Sequence, residues 1–75
     1  MTGEEAVDGI LRHDPRNIRA LVEKADFRTR AGDERTAAAF YRAALREAAA
    51  ATPLPLELKP HIERAQATMA RAAQA

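Results

Sequence analysis

The sequence predicts an all-α fold in which four helices form antiparallel helical hairpins. Alanine accounts for 19 of the 75 residues, and arginine and glutamate, which also favour helices, are frequent. The β-branched and aromatic residues that favour strands are scarce. Apolar residues also recur at spacings of three and four, the period of an amphipathic helix. The length permits one small domain with a thin core, because so short a chain buries only about 60% of the surface that it exposes when unfolded.

Composition excludes several classes of protein. Without cysteine, the chain has no disulfide, no thiol chemistry and no thiolate metal site. The acidic N-terminal segment does not resemble a signal peptide, and no apolar run approaches the roughly 18 residues of a membrane span. We therefore expect a cytoplasmic protein without membrane association. The net charge is +1 and the arginines alternate with acids along the chain, so nucleic acid is not the expected partner.

The first helix is predicted over residues 3–12. Thr2 and Glu5 have the spacing of a capping box. In this motif the hydroxyl and the carboxylate each accept a hydrogen bond from the backbone amide of the other residue. Pro15 ends the segment, since proline cannot continue a helix and disfavours the helical conformation of its predecessor. The apolar side chains predicted to share one buried face are Ala6, Val7, Ile10 and Leu11.

The second helix is predicted to begin after Asn17 and to end at Gly32, which are typical N-cap and C′ residues. Asp33 follows directly and can cap a third helix, so the connection is short and the two helices should form an antiparallel hairpin. The second helix should contact neighbours on two sides. Its main stripe consists of Ile18, Leu21, Val22 and Ala25, and the stripe is extended by Ala20, Phe27 and Ala31.

The third helix is predicted over residues 34–51 and has the clearest amphipathic period in the chain. Its stripe consists of Ala37, Phe40, Tyr41, Ala44, Leu45 and Ala48. Two prolines, at positions 53 and 55, then interrupt the helix, and we expect one helical turn over 56–58 and a last helix over 59–73. The stripe of that helix consists of Leu58, Ile62, Ala65, Met69 and Ala72. Because this stripe spans barely two heptads, we expect packing against the third helix rather than a coiled coil.

Residues 14–49 resemble a tetratricopeptide repeat, a unit of two antiparallel helices. Counted from Ile18 as the first repeat position, the signature residues are Leu21, Ala25, Gly32, Ala37, Tyr41 and Ala44. The resemblance implies a right-handed helical array with a half-repeat over 3–12, a full repeat over 17–51 and an irregular C-terminal helix over 56–73. Lys24 and Arg28 depart from the pattern, since they stand where the family usually has a leucine and a large aromatic residue. We therefore expect that their aliphatic chains pack along apolar surface while the charged groups reach solvent, or that this part of the helix stays solvated.

The resemblance to this family also implies an interaction face for a protein or peptide. The first helix of each repeat lines the concave surface, which here corresponds to Arg19, Val22, Glu23, Asp26, Thr29 and Arg30. Members that bind the C-terminal carboxylate of a heat-shock chaperone have Lys and Asn at two of these positions. This chain has Val22 and Asp26 there, so a clamp of that type is disfavoured. Arginines on the face could pair with carboxylates. A solvated helix face without a ligand is the alternative interpretation.

A narrower resemblance suggests a second hypothesis. Several short runs are similar to the repeat region that precedes bacterial aspartyl/asparaginyl β-hydroxylase-like domains: Asp14 to Asn17, Ala20-Leu21, Glu23 to Asp26, Ala31 to Asp33 and Ala38 to Leu45. The resemblance implies a non-catalytic segment before an iron- and 2-oxoglutarate-dependent domain that would lie outside these residues.

One repeat is also fewer than arrays usually need to bury a continuous core, so we expect self-association or attachment to a larger protein.

No catalytic, cofactor-binding or metal-binding residue is predicted within the chain itself. Both histidines, His13 and His61, lie beside prolines at expected helix edges without a ligand motif, so we expect surface histidines. The available carboxylates lack an implied pocket with a paired base. A small DNA-binding helix-turn-helix protein is a third hypothesis, and it would require the hairpin to present its arginines together.

Overall fold

The computed structural model describes residues 3–51 and 53–74, and these residues form four α-helices. The helices are α1 (Gly3–His13), α2 (Ile18–Arg30), α3 (Glu34–Ala50) and α4 (Lys59–Gln74), with a single 3₁₀ turn at Leu56–Leu58 before α4. No strand occurs in these ranges. The all-helical prediction is confirmed, and the helix ends lie within a residue or two of those expected. Thr2, the first residue of the predicted capping box, lies outside the described residues.

The turn between α2 and α3 has the hydrogen bonds that its sequence predicts. Gly32 has a φ of 83°, a conformation that other residues rarely adopt. The amide of Asp33 donates to the carbonyl of Arg28 (2.8 Å) and the amide of Gly32 donates to that of Thr29 (3.1 Å), which is the Schellman pattern. The Asp33 carboxylate then accepts from the Thr36 amide (3.2 Å) and begins α3. The hairpin geometry is therefore encoded locally.

The α2 helix lies at the centre of the fold and contacts each of the other three helices. Small side chains on its face and on that of α3 let the two backbones approach closely, while larger side chains fill the remaining space. The buried cluster consists of Leu21, Val22, Ala25, Ala37, Tyr41, Ala44 and Ala65. The Cα positions span 32 × 31 × 16 Å, so the fold is a flat layer that leaves much helix surface open to solvent.

The α1 helix is only half covered, which differs from the prediction that four of its side chains share a buried face. Val7 is buried and Leu11 packs against the core. Ala6 is exposed, and Ile10 keeps 46% of its surface in solvent. The reason is that α2 is the main neighbour of α1, so that only one edge of its apolar stripe is in contact with protein.

The α4 helix packs against α3, as predicted. One side of its C-terminal half is exposed to solvent. Pro60 lies in the first turn, where an amide has no acceptor within the helix, so it does not interrupt the helix. Ile62 and Ala65 are buried and Met69 is partly buried, but Ala72 at the end of the stripe is exposed. No described helix is both long and apolar enough to cross a membrane.

Candidate functional site

The charged members of the predicted interaction face on α2 are partly occupied by contacts within the chain. The Arg19 guanidinium donates to the Glu23 carboxylate across one helical turn (2.9 Å), with 68% of the Arg19 side chain exposed. The Arg30 guanidinium lies 4.8 Å from the centre of the Phe27 ring, a cation–π contact. The face is therefore a mixed surface of paired charges rather than a free cationic site.

Val22 does not belong to that face, and its assignment there is wrong. The side chain has no exposed surface and lies in the hydrophobic core. It is buried because α2 is covered on more than one side, which agrees with the apolar stripe that also contained Val22 and not with the face implied by the repeat resemblance. The remaining members of the face are Arg19, Glu23, Asp26, Thr29 and Arg30.

Asp26 ties three helices together rather than standing free. The hydroxyl of Tyr41 on α3 donates to one of its oxygens (2.5 Å), and Arg64 on α4 donates to the other (2.8 Å). Burial raises the pKa of Tyr41 above its ordinary value, and the hydrogen bond to the anionic Asp26 raises it further. His61 extends the cluster, since its Nδ1 lies 3.2 Å from the Arg64 guanidinium.

An open groove lies beside this cluster, where the ends of α2 and α4 meet the start of α3. Its volume is about 360 Å³. Small and apolar side chains form most of the lining, which also includes two threonines and two charged side chains. The lining residues are Thr29, Glu34, Ala37, Ala38, Tyr41, Thr68, Met69, Arg71 and Ala72.

Among the residues predicted for the interaction face, the groove includes only Thr29, whose hydroxyl donates to the Ala25 carbonyl (2.9 Å). The α4 side of the groove was not expected. Thr68 and Arg71 are spaced by three residues on one helix, and the Arg71 guanidinium lies 3.3 Å from the Thr68 hydroxyl. That spacing places the two side chains on one face of a helix, a signal already present in the sequence.

Lys24 and Arg28, the departures from the repeat pattern, do not point to solvent. The Lys24 ammonium lies 2.8 Å from carboxylate oxygens of both Glu4 and Asp8 on α1. Arg28 pairs with Glu4 (2.8 Å) and lies 3.6 Å from Asp33. Hydrogen bonding to Lys24 holds the pKa of Glu4 below its ordinary value, and hydrogen bonding to Asp8 raises the pKa of Lys24. We call Glu4, Asp8, Lys24 and Arg28 the α1 clamp, because they join α1 to α2.

The six repeat-signature residues all lie in the α2–α3 hairpin. Leu21, Ala25, Ala37, Tyr41 and Ala44 belong to the buried cluster, and Gly32 occupies the turn with positive φ. These positions are therefore structural. In the part of the chain that the structure describes, no three histidine or carboxylate side chains are grouped closely enough to hold a metal ion.

No known family model matches the chain, and neither a curated protein nor a solved structure matches it. Its resemblance to tetratricopeptide repeats stays a prediction from the sequence. The same holds for its similarity to the segment before aspartyl/asparaginyl β-hydroxylase-like domains. The assignment of function therefore depends on the surfaces described above.

Proposed function

We propose that this chain is a non-catalytic protein-interaction or scaffold module of the tetratricopeptide type, which binds a peptide segment of a partner protein. The observation that carries the proposal is the open groove between the ends of α2 and α4 and the start of α3. Clefts of about 300–1,000 Å³ are the usual size of ligand pockets, and the groove falls in this range.

The lining of the groove suits an apolar side chain flanked by polar groups. Alanines and Met69 give an apolar floor, and methionine adapts to ligands of different shape. At the rim, Arg71 contacts a neutral hydroxyl and has no carboxylate partner within residues 3–51 and 53–74. A carboxylate on the bound peptide would therefore gain a charge-assisted hydrogen bond without breaking an existing ion pair.

The arrangement of the helices supports the scaffold part of the proposal. Consecutive helices are in contact, and α4 touches both members of the preceding hairpin. The uncovered side of α1, with Ala6 and Ile10 exposed, leaves room for a further helix at that end of the layer. Repeat arrays grow by adding units that contact only their neighbours.

The test is a selection from a random peptide library, followed by NMR mapping of the selected peptides on the protein. Peptides that bind the groove should perturb the amide resonances of Ala37, Thr68 and Met69. Ala72→Trp should reduce their affinity by filling the groove. Ala70→Trp is the matched control, because Ala70 is exposed on the same helix and does not line the groove.

Equal affinity of the two tryptophan variants would contradict the groove assignment. If a folded protein, verified by circular dichroism, selects no peptide at all, the interaction function itself is refuted. Resonance changes confined to other surfaces would move the binding site without removing the function.

A further inference from the structure

The outward face of α3 presents arginines in a single row. At about 100° per residue, Arg35, Arg42 and Arg46 fall within about 40° of one another around the helix axis. With a rise of 1.5 Å per residue, the gaps of seven and four positions correspond to about 10 Å and about 6 Å along the axis. All three residues are exposed. We call this row, together with the exposed alanines beside it, the arginine face; the alanines are Ala39, Ala49 and Ala50.

The guanidinium groups of the arginine face have no partner among residues 3–51 and 53–74. None of the three arginines makes a hydrogen bond or an ion pair within the described ranges. Other arginines of the chain are engaged with carboxylates, such as Arg16 with Glu47 (2.9 Å) and Arg64 with Asp26 (2.8 Å). No described carboxylate therefore occupies the arginines of this row.

Acidic residues are absent from the arginine face itself. The flanking acids of α3, Glu34 and Glu47, project about 100° or more from the centre of the row. Glu47 is also already paired with Arg16 on the loop after α1. The arginines alternate with acids along the sequence, but the helix separates the two signs in space.

We propose that the arginine face docks an acidic α-helix of a partner protein. This inference rests on the proposed interaction function and assigns a second surface to it, on a different side of α3 from the groove. A partner helix with glutamates at spacings of seven and four, in either order, would place one carboxylate opposite each guanidinium. The exposed alanines beside the arginines allow the close approach of two helix backbones that ridge-into-groove packing requires.

The chemistry of the face favours a protein helix over duplex DNA. Alanine methyl groups can pack against an apolar ridge of a helix, but they offer neither donors nor acceptors to base edges. Three arginines on a chain with a net charge of +1 also give little of the broad positive field that nucleic-acid binders present. A second copy of this chain is a poor partner, because no described helix carries three acidic residues at spacings of seven and four.

The probe is a pair of helix-stabilised peptides with the same composition. In the matched peptide the glutamates follow the spacing of the arginines, and in the scrambled peptide they are distributed around the helix. Binding is measured by fluorescence anisotropy at low salt on the intact chain. We expect the matched peptide to bind about tenfold more tightly, the scale expected from three exposed ion pairs.

Two triple variants distinguish the effect of the arginine row from the effect of a lower net charge on binding. Arg35→Gln, Arg42→Gln and Arg46→Gln together should abolish the preference for the matched peptide. The control carries Arg12→Gln, Arg30→Gln and Lys59→Gln, which remove the same charge from three other helices and leave the groove intact. These three residues also lack carboxylate partners among the described residues, so the control should keep the preference. All six are exposed, so both variants should fold, which circular dichroism verifies.

Equal affinity for the two peptides would overturn the inference, and so would an equal loss in the two triple variants. Tighter binding of duplex DNA than of the matched peptide, with a log–log salt slope near −3, would assign the face to nucleic acid instead. Binding of the groove peptides is measured separately on the parent chain and on the triple variant of Arg35, Arg42 and Arg46. If these peptides bind both proteins while the matched peptide shows no preference, the arginine-face inference fails and the proposed function stands. The two proposals can therefore fail separately.

Discussion

The hydrogen bond between Tyr41 and Asp26 is expected to hold the hairpin and α4 in register, and Tyr41→Phe removes it without changing the shape of the core. The Tyr41 side chain is 3% exposed and the Asp26 side chain 20% exposed. A hydrogen bond to a charged group contributes about 1.5–3 kcal/mol when it is buried. Because Asp26 keeps Arg64 as a partner and retains some contact with water, we expect a value around or below the lower limit of that range, about 1–2 kcal/mol.

The assay is thermal unfolding at pH 7 followed by far-ultraviolet circular dichroism. For a domain of this length, 1 kcal/mol lowers the Tm by roughly 4–8 °C, so Tyr41→Phe should melt roughly 5–15 °C below the parent chain. Asp26→Asn and the double variant complete a cycle that isolates the pair from the effects of each residue alone. The coupling free energy should reach about 1 kcal/mol.

A coupling free energy below about 0.3 kcal/mol, the scatter of independent sites, would refute this reasoning. It would mean that the hydroxyl and the carboxylate are both as well satisfied by water as by each other. A second measurement is independent of unfolding. The phenol of Tyr41, which is the single tyrosine of the chain, should ionise above its ordinary pKa of 10.0 in an ultraviolet absorbance titration. Because this pKa is raised by folding, its contribution to stability is lost as the pH rises through the folded-state value.

Three other perturbations test the hairpin, the α1 clamp and the turn. Ala44→Leu should overpack the α2–α3 contact and cost about 1–3 kcal/mol, measured by urea unfolding, since Ala44 has no exposed surface; an unchanged midpoint would show that the hairpin is loose. Acid should loosen α1 first, because folding lowers the pKa of Glu4 below 4.5, so its stabilisation is complete above that value and is lost as the pH falls through the folded-state pKa. Amide protection factors, which correct for the slower intrinsic exchange in acid, should fall at Val7 before they fall in the α2–α3 core. The protection factor of Val7 should be reduced already at pH 7 in Glu4→Gln, whereas a uniform fall across the chain would contradict the clamp. Gly32→Ala should cost about 1 kcal/mol through its positive φ, while Gly9→Ala, within a helix, should stabilise by about 0.5–1 kcal/mol; equal midpoints for the two variants would count against the turn geometry.

The α2–α3 hairpin could be predicted from the sequence because its determinants are local. The side chains of Asn17 and Asp33 each accept a hydrogen bond from the backbone amide three residues ahead. Gly32 adopts a positive φ, which glycine tolerates better than other residues. Such interactions depend on neighbours in the chain, so residue type and spacing are enough to place them. The alternation of apolar residues on α3 is similarly local, and it correctly orients Tyr41 and Ala44 towards the core.

The candidate sites were less predictable, because they depend on which helix covers which face. From the sequence, Val22 is assigned both to the apolar stripe of α2 and to the interaction face, and only the packing of the other helices on α2 shows that it belongs to the core. Lys24 finds its partners on α1, sixteen and twenty residues earlier in the chain, where a local argument could only suggest snorkelling. The arginine face is an exception, since the positions of Arg35, Arg42 and Arg46 already place them on one side of any helix that contains them.

The order of residues was sufficient to specify four helices, their ends and the hairpin turn, since capping, backbone preference and amphipathic period act within a few residues. The tertiary structure decided the rest. It left half of the α1 stripe exposed, opened the groove beside Met69, and joined Asp26 to two other helices. These features arise between segments that are distant in the chain, where the free energy depends on packing and on paired charges across helices, and no local pattern contains that information.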